Sequence, residues 1–241
     1  MFGYANPTKF MRLSGVLLPW LGIGSAVLML AGLYYALVAS PQDEEMGHNV
    51  RIMDVHVPAA WMAMFTFVFM AGSSLFGFVW RHHLADMAAK SAAPVGAAFC
   101  ALCLVTGSLW GIRGWGTWWV WDARLTSELV LLFLYFGYMA LRAAIEDENR
   151  ADRASALLAI IGVINVPIIK YSVEWWHTLH QTASISKLGK PSMPPDMYIW
   201  LVMMIVGFMC FFGALLMIRT RAEVIRRSRD QRWLRDALGV S

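Results

Sequence analysis

Residues 57–80 read VPAAWMAMFTFVFMAGSSLFGFVW and contain no charged side chain. A helix rises about 1.5 Å per residue, so such a segment spans the roughly 30 Å hydrocarbon core of a bilayer. Working outward, five more apolar runs of near-spanning length occur at about 15–38, 92–112, 127–145, 154–170 and 197–218. The run at 154–170 is the weakest, because Asn165, Pro167 and Lys170 interrupt its end. Apolar residues make up 59% of the 241 and charged residues only 15%, against about 25% charged in a soluble domain. The chain therefore reads as an all-α integral membrane protein, a single membrane domain over 1–241 with six transmembrane helices. The first run is too long for a signal-peptide core and no small-residue cleavage site follows it cleanly, so it is expected to be retained.

Basic residues set the orientation. With both termini cytoplasmic, the inner face carries Lys9, Arg12, Arg81, Lys90, Arg142, Arg150, Arg153 and seven arginines between Arg219 and Arg235, 14 of the 20 Lys and Arg. The outer face keeps Arg51, Arg113, Arg124, Lys170, Lys187 and Lys190. The net charge of +4 and the pI of 9.1 thus reflect topology and not nucleic-acid binding. The Arg-rich tail, 219–241, reads as an anchor that attracts anionic lipid of the bilayer. The inner loops, 81–91 and 146–153, hold no glycine-rich phosphate loop, so ATP hydrolysis by this chain is not indicated.

The outer loops, about 39–56, 113–126 and 171–196, share one face. The middle loop contains Trp115, Trp118, Trp119 and Trp121, followed by Asp122 and flanked by Arg113 and Arg124. Each indole needs a large burial area and a partner for its N–H, so the cluster suits a broad π surface more than a gap in a core. Gly111, Gly114 and Gly116 suggest close backbone approach to something flat. Trp20, Trp61, Trp80 and Trp200 read instead as an interfacial belt. Asp122 and Arg124 are candidates for pairing with each other, and Glu128 for favouring the positive end of span four.

Cys100, Cys103 and Cys210 all fall inside spans. The first two have C-x-x-C spacing, but without further ligands for zinc or an aqueous thiolate they read as small packing residues. No C-x-x-C-H occurs, so the chain carries no c-type haem attachment of its own. His82 and His83 read as solvated residues of an inner loop. His48, His56, His177 and His180 lie on the outer face, His48 and His177 as solvated loop residues. Pro58 suits the first turn of a helix, which puts His56 just outside the start of span two. His180 follows span five in Glu174-Trp175-Trp176-His177-Thr178-Leu179-His180, where Trp176 and His180 share a face if the stretch is helical. Two histidines from separate loops flank a tryptophan loop, and imidazole is a common axial ligand of haem iron. Arg51, Arg113 and Arg124 lie on the face where propionates would need cations, and the Arg fork matches carboxylate geometry.

The stretch Trp115 to Leu129, WGTWWVWDARLTSEL, resembles the tryptophan-rich WWD signature of haem-handling membrane proteins in cytochrome c maturation. His56-Val57-Pro58-Ala59-Ala60 is similar to the first histidine motif of the CcmC branch. Asn165 to Ile169, with Ser172 to Trp176 and Thr178 to Gln181, is similar to its second. The resemblance runs from about Ile52 to Gln181. It implies haem b as cargo on the periplasmic face of the bacterial inner membrane, with axial ligands at His56 and His180. It implies haem contacts at Trp115, Trp118, Trp119, Trp121 and Asp122. Arg51, Arg113, Arg124, Trp175 and Trp176 are added from their place on the same face. The implied partners are the ATP-binding cassette subunits CcmA and CcmB, the small subunit CcmD and the haem chaperone CcmE. His177 departs from the asparagine common in relatives and offers a second imidazole three residues before His180.

The expectation is a haem-binding transfer protein, not an enzyme, with the covalent step on the chaperone either catalysed or templated here. Two other classes stay open: a haem transmembrane exporter, and a cytochrome b-like electron-transfer protein. The second would place histidines mid-span, where none is found. The first would need a polar path, and spans one to four hold few ionisable groups.

Overall fold

A computed structural model describes residues 6–43, 46–180, 190 and 193–229. Lys187, Gln181, Arg232 and Arg235 lie outside the described residues. The described chain is all-α, with helices α1 (Pro7–Tyr34), α2 (Met53–Trp80), α3 (His83–Trp115), α4 (Ala123–Ala144), α5 (Glu148–Gly162), α6 (Asn165–Trp175) and α7 (Pro195–Arg227). Six helical segments, with α5 and α6 joined as one, are long and apolar enough to cross a membrane.

Local chemistry explains most starts. Asn6, Asp122 and Asp147 accept amide hydrogens of their first turns, and Pro7 and Pro195 occupy first-turn positions where a missing N–H is harmless. His82 also caps: its Nδ1 accepts from the Ala85 amide at 3.2 Å. The loop expected at 81–91 therefore shrinks to Arg81 and His82, and the expected solvated role of His82 is corrected to a cap of α3. The fifth run is broken between Gly162 and Asn165, where the backbone leaves the helix for one turn. The Asn165 amide then donates to the Ser127 carbonyl of α4 at 2.8 Å, fixing the direction in which α6 resumes.

Helix α2 is central, packing on α3, α5 and α7, while α1 lies at the periphery against α7. Phe67, Met70, Tyr135 and Tyr138 are fully enclosed between them. The Tyr135 hydroxyl donates to the Ala63 carbonyl at 2.7 Å, which supplies the partner a buried phenol needs in a bilayer. Leu13, Trp20, Ile23, Val27 and Leu30 of α1 are exposed, as a helix facing acyl chains requires. Trp20 and Trp61 lie well inside α1 and α2 instead of at their ends, and Trp200 stacks on Tyr35 with ring centroids 4.5 Å apart. Trp80 is the last residue of α2.

The first part of the Arg-rich segment belongs to α7, which continues helical to Arg227, and the arginines of that helix are engaged within the protein; residues 230–241 lie outside the described residues. Arg221 donates to the Met11 carbonyl and Ser14, and Arg219 to the Ser91 carbonyl. Arg227 pairs with Asp152 at 2.9 Å and with Glu223 at 2.8 Å, while Arg142 reaches Asp152 at 2.6 Å. Lys90 joins through Glu223 at 2.8 Å, and Arg226 bridges Glu148 and Glu223. This network ties α3, α4, α5 and α7 together at the end of the bundle opposite the tryptophan loop.

Candidate functional site

His56 belongs to α2, not to a preceding loop. A 3₁₀ turn over His48–Ile52 runs straight into α2, so Pro58 lies one turn deeper than expected and leaves the Asp54 carbonyl without its usual helical donor. The imidazole points at α3. Its Nδ1 lies 3.0 Å from the Cys103 carbonyl and 3.0 Å from the Thr106 hydroxyl. A carbonyl can only accept, so Nδ1 carries the hydrogen and Nε2 keeps its lone pair. Trp110 meets the ring edge-on at 5.8 Å. Gly107 leaves room for it: a Cβ there would sit 2.9 Å from His56 Cε1.

His180 is held in the same way from another direction. Its Nδ1 lies 3.2 Å from Asp122 Oδ2, and Trp115 packs against the ring at 4.6 Å. Asp122 stands at the start of α4, and its Oδ1 accepts from the Leu125 amide at 2.8 Å. Burial opposes the Asp122 carboxylate, but the His180 imidazole and the Leu125 and Leu179 amides together hold its carboxyl below the usual range. An ionised carboxylate is acceptor-only, so His180 Nδ1 is the donor and its Nε2 is free.

The loop between α3 and α4 is shorter than 113–126, spanning Gly116–Asp122. Gly116 closes α3 with φ of 74°, a conformation that favours glycine. The loop then folds back, and a Cβ on Gly111 would lie 2.9 Å from the Thr117 carbonyl and 3.0 Å from the Trp115 ring. Gly111 and Gly116 thus serve the loop's own turn, while Gly114 faces Met46. The indoles do not form one plane: Trp118 and Trp119 are inclined by 41°, and Trp119 and Trp121 by 78° at 5.3 Å. The result is a faceted wall. Trp118 and Trp121 are 63% and 76% exposed, whereas the Trp119 indole N–H is buried without a partner, an expensive arrangement for a polar group. At the end of α6, Trp175 stacks on Tyr171 at 5.5 Å and meets Trp176 edge-on at 5.7 Å, both indoles being about half exposed.

The cations separate. Arg51 donates to the Leu37 carbonyl at 3.0 Å and the Ser40 carbonyl at 2.9 Å, so it closes the π-helical turn that ends α1. Arg113 is exposed in the last turn of α3. Arg124 is half-buried in the first turn of α4. It forms no ion pair with Asp122, whose partner is His180, which corrects the expected Asp122–Arg124 pair. Glu128 is likewise not at the helix start; it is buried and accepts from the Cys100 thiol at 3.3 Å. Cys100 and Cys103 are buried packing residues. His48 lies beside Gln42, and exposed His177 lines a hollow with Trp121, Asp122 and Leu179.

Sequence reasoning missed the α3 face that seats His56, formed by Cys103, Thr106, Gly107 and Trp110. Their spacing of three, one and three residues is the signature of one helical face, and it was the available signal. It also missed the orienting role of Asp122.

The fold and site together define a six-span membrane protein with a paired-imidazole, tryptophan-walled site at one end of its bundle. The family model for CcmC, Heme exporter protein C, matches residues 1–235, and the chain belongs to that family. It is 50% identical to Heme exporter protein C of Bradyrhizobium diazoefficiens over 92% of this chain and 84% of that protein. It is 42% identical to the proteins of that name from Haemophilus influenzae, over 96% and 94%, and Escherichia coli K12, over 97% and 94%.

Proposed function

We propose that this chain binds haem b between His56 and His180 and passes it to the chaperone CcmE during cytochrome c maturation. The observation that carries the reading is the matched pair of imidazoles. Each is anchored through Nδ1 to an acceptor, and each keeps Nε2 for a metal. Anchoring of the second ring nitrogen is the arrangement that orients metal-bound histidine. The unpartnered Trp119 N–H and the exposed indoles of Trp118 and Trp121 fit a site that receives a large π cargo with polar edges. Arg113 and Arg124 remain available to propionates, while Arg51 is engaged with the backbone.

In this reading Asp122 holds His180 in one tautomer, and the Cys103 carbonyl does the same for His56. The tryptophan loop excludes water beside the ring edge, and Trp175 and Trp176 border the exit toward a partner. The site faces the periplasm, both termini are cytoplasmic, and the chain acts with CcmA, CcmB and CcmD in the inner membrane. It is a binding and transfer protein, not an enzyme. The resemblance of motifs, the family and the 14-to-6 distribution of Lys and Arg support these statements.

The test is optical spectroscopy of full-length protein purified with haem. His56→Ala and His180→Ala are each expected to lose the low-spin spectrum of two nitrogen ligands. Retention of that spectrum by both variants would overturn the ligand assignment. Haem flux into vesicles by this chain alone would favour an exporter.

A further inference from the structure

At the end of the bundle opposite the histidines, the C-terminus of α2 meets the N-termini of α3 and α5. They enclose a hollow lined by Gly77, Phe78, Arg81, His83, Arg150 and Arg153, with Asp86 and Asp152 also in its wall. The neighbouring charges nearly cancel among themselves. Lys90, Arg142, Arg226 and Arg227 lie among Glu148, Asp152, Glu223 and the buried Asp86. Asp147 is occupied as the cap of α5. Arg81, Arg150 and Arg153 are left over: all three side chains are exposed, and none enters an ion pair among the described residues. Arg12 and Arg229 are also exposed at this end, but only Arg81, Arg150 and Arg153 line the hollow.

The N-termini of α3 and α5 both meet at the hollow, but His82 and Asp147 cap them and Asp86 and Glu148 occupy their first turns, so the positive field there comes from Arg81, Arg150 and Arg153. Arg81 is also the one non-glycine residue with positive φ, at 53°, among the described residues. Glycine is the usual residue at such a helix end, and here the position carries a cation. Beside the hollow, α2 presents exposed Leu75, Phe78 and Val79, an apolar stripe continuous with the surface that faces acyl chains. A basic pocket between membrane helices with an apolar lip matches the two ends of an anionic lipid.

We infer that this hollow seats the phosphate of an anionic phospholipid, with Arg81, Arg150 and Arg153 as its ligands. Arg150 and Arg153 supply the charge at the start of α5, and Arg81 closes the hollow from α2.

The test uses the full chain in phosphatidylcholine nanodiscs containing spin-labelled phosphatidylglycerol or spin-labelled phosphatidylcholine. The protein is expected to immobilise the anionic label preferentially. Arg81→Gly, Arg150→Gln and Arg153→Gln are each expected to lower that preference about fivefold, and the triple variant to abolish it. Arg81→Gly relieves the positive φ, and the other two side chains touch no partner, so the thermal midpoint is expected to hold and serves as the folding control. Arg12→Gln with Arg229→Gln, exposed cations elsewhere on the same end, is expected to change nothing. The inference falls if the triple variant keeps the preference or if the control pair loses as much. It falls equally if inorganic phosphate removes the selectivity, since a free anion would then be what the site reads.

Discussion

Asp122→Asn separates two duties carried by one carboxylate. Oδ1 caps α4 through the Leu125 amide at 2.8 Å, and Oδ2 anchors His180 Nδ1 at 3.2 Å. Asparagine caps a helix about as well as aspartate, so the start of α4 and the thermal midpoint should hold. What is removed is the charge on the acceptor facing His180. Losing such a partner costs about 10–100-fold in metal affinity, or about 1.4–2.7 kcal/mol. The amide oxygen can still accept, so the expected loss for haem is at the lower end, about tenfold. Asp122→Ala loses both duties, adding about 0.5–2 kcal/mol of instability. Acid should reproduce the stability loss. The folded carboxyl lies below its usual range, so its contribution is complete above the unfolded value of about 3.9 and fades as pH falls through the folded value. Wild-type protein should show this acid loss in thermal midpoint, and Asp122→Ala should not. The assay is haem titration followed by absorption, with thermal unfolding in parallel. Wild-type haem affinity in Asp122→Asn would refute the anchoring argument, and a midpoint as low as that of Asp122→Ala would refute the capping argument.

Further outcomes follow from the same geometry. Gly107→Ala places a Cβ 2.9 Å from His56 Cε1, so it should displace that ring and convert the haem spectrum to mixed ligation; an unchanged spectrum would contradict the seat described for His56. Gly116→Ala forces alanine into φ of 74° and should cost about 1–2 kcal/mol in unfolding measurements. Asn165→Ala removes the bond to the Ser127 carbonyl and should cost about 1 kcal/mol; it should weaken haem binding while leaving the His56 contribution to the spectrum intact. Arg227→Ala removes charged hydrogen bonds to Asp152 and Glu223, which keep Arg142, Lys90 and Arg226, and should destabilise by about 1.5–3 kcal/mol, with little effect on the haem spectrum of the folded fraction.

The membrane fold was legible because apolar run length is a one-dimensional property: 57–80 announces a span without reference to any neighbour. The break before Asn165 was visible only as an interruption, since its direction depends on the Ser127 carbonyl of another helix. His56 and His180 were legible as candidates through their motifs and their shared face. Their partners were not, because Asp122 and Cys103 act through contacts separated by 58 and 47 residues in sequence. Pro58 misled, since a proline after a polar segment reads as a helix start, and only the turn over His48–Ile52 moves that start back. Arg51 and the arginines of α7 misled for a shared reason: a guanidinium looks free in sequence until the carbonyls and carboxylates around it are known.

Among the described residues, all but one of the ion pairs lie in the network at the far end of the bundle, and the exception is His180 with Asp122. The described ion pairs thus brace one end of the bundle, like tongs joined at the base. α2 and α6, which lead to the two imidazoles, contribute no residue to that network, so small tilts of these helices against the braced ones would change the separation of the two imidazoles while leaving the helix core intact. A grip that opens by bending costs less than one that opens by unpacking, which is the mechanical property a carrier needs if its cargo is to be surrendered.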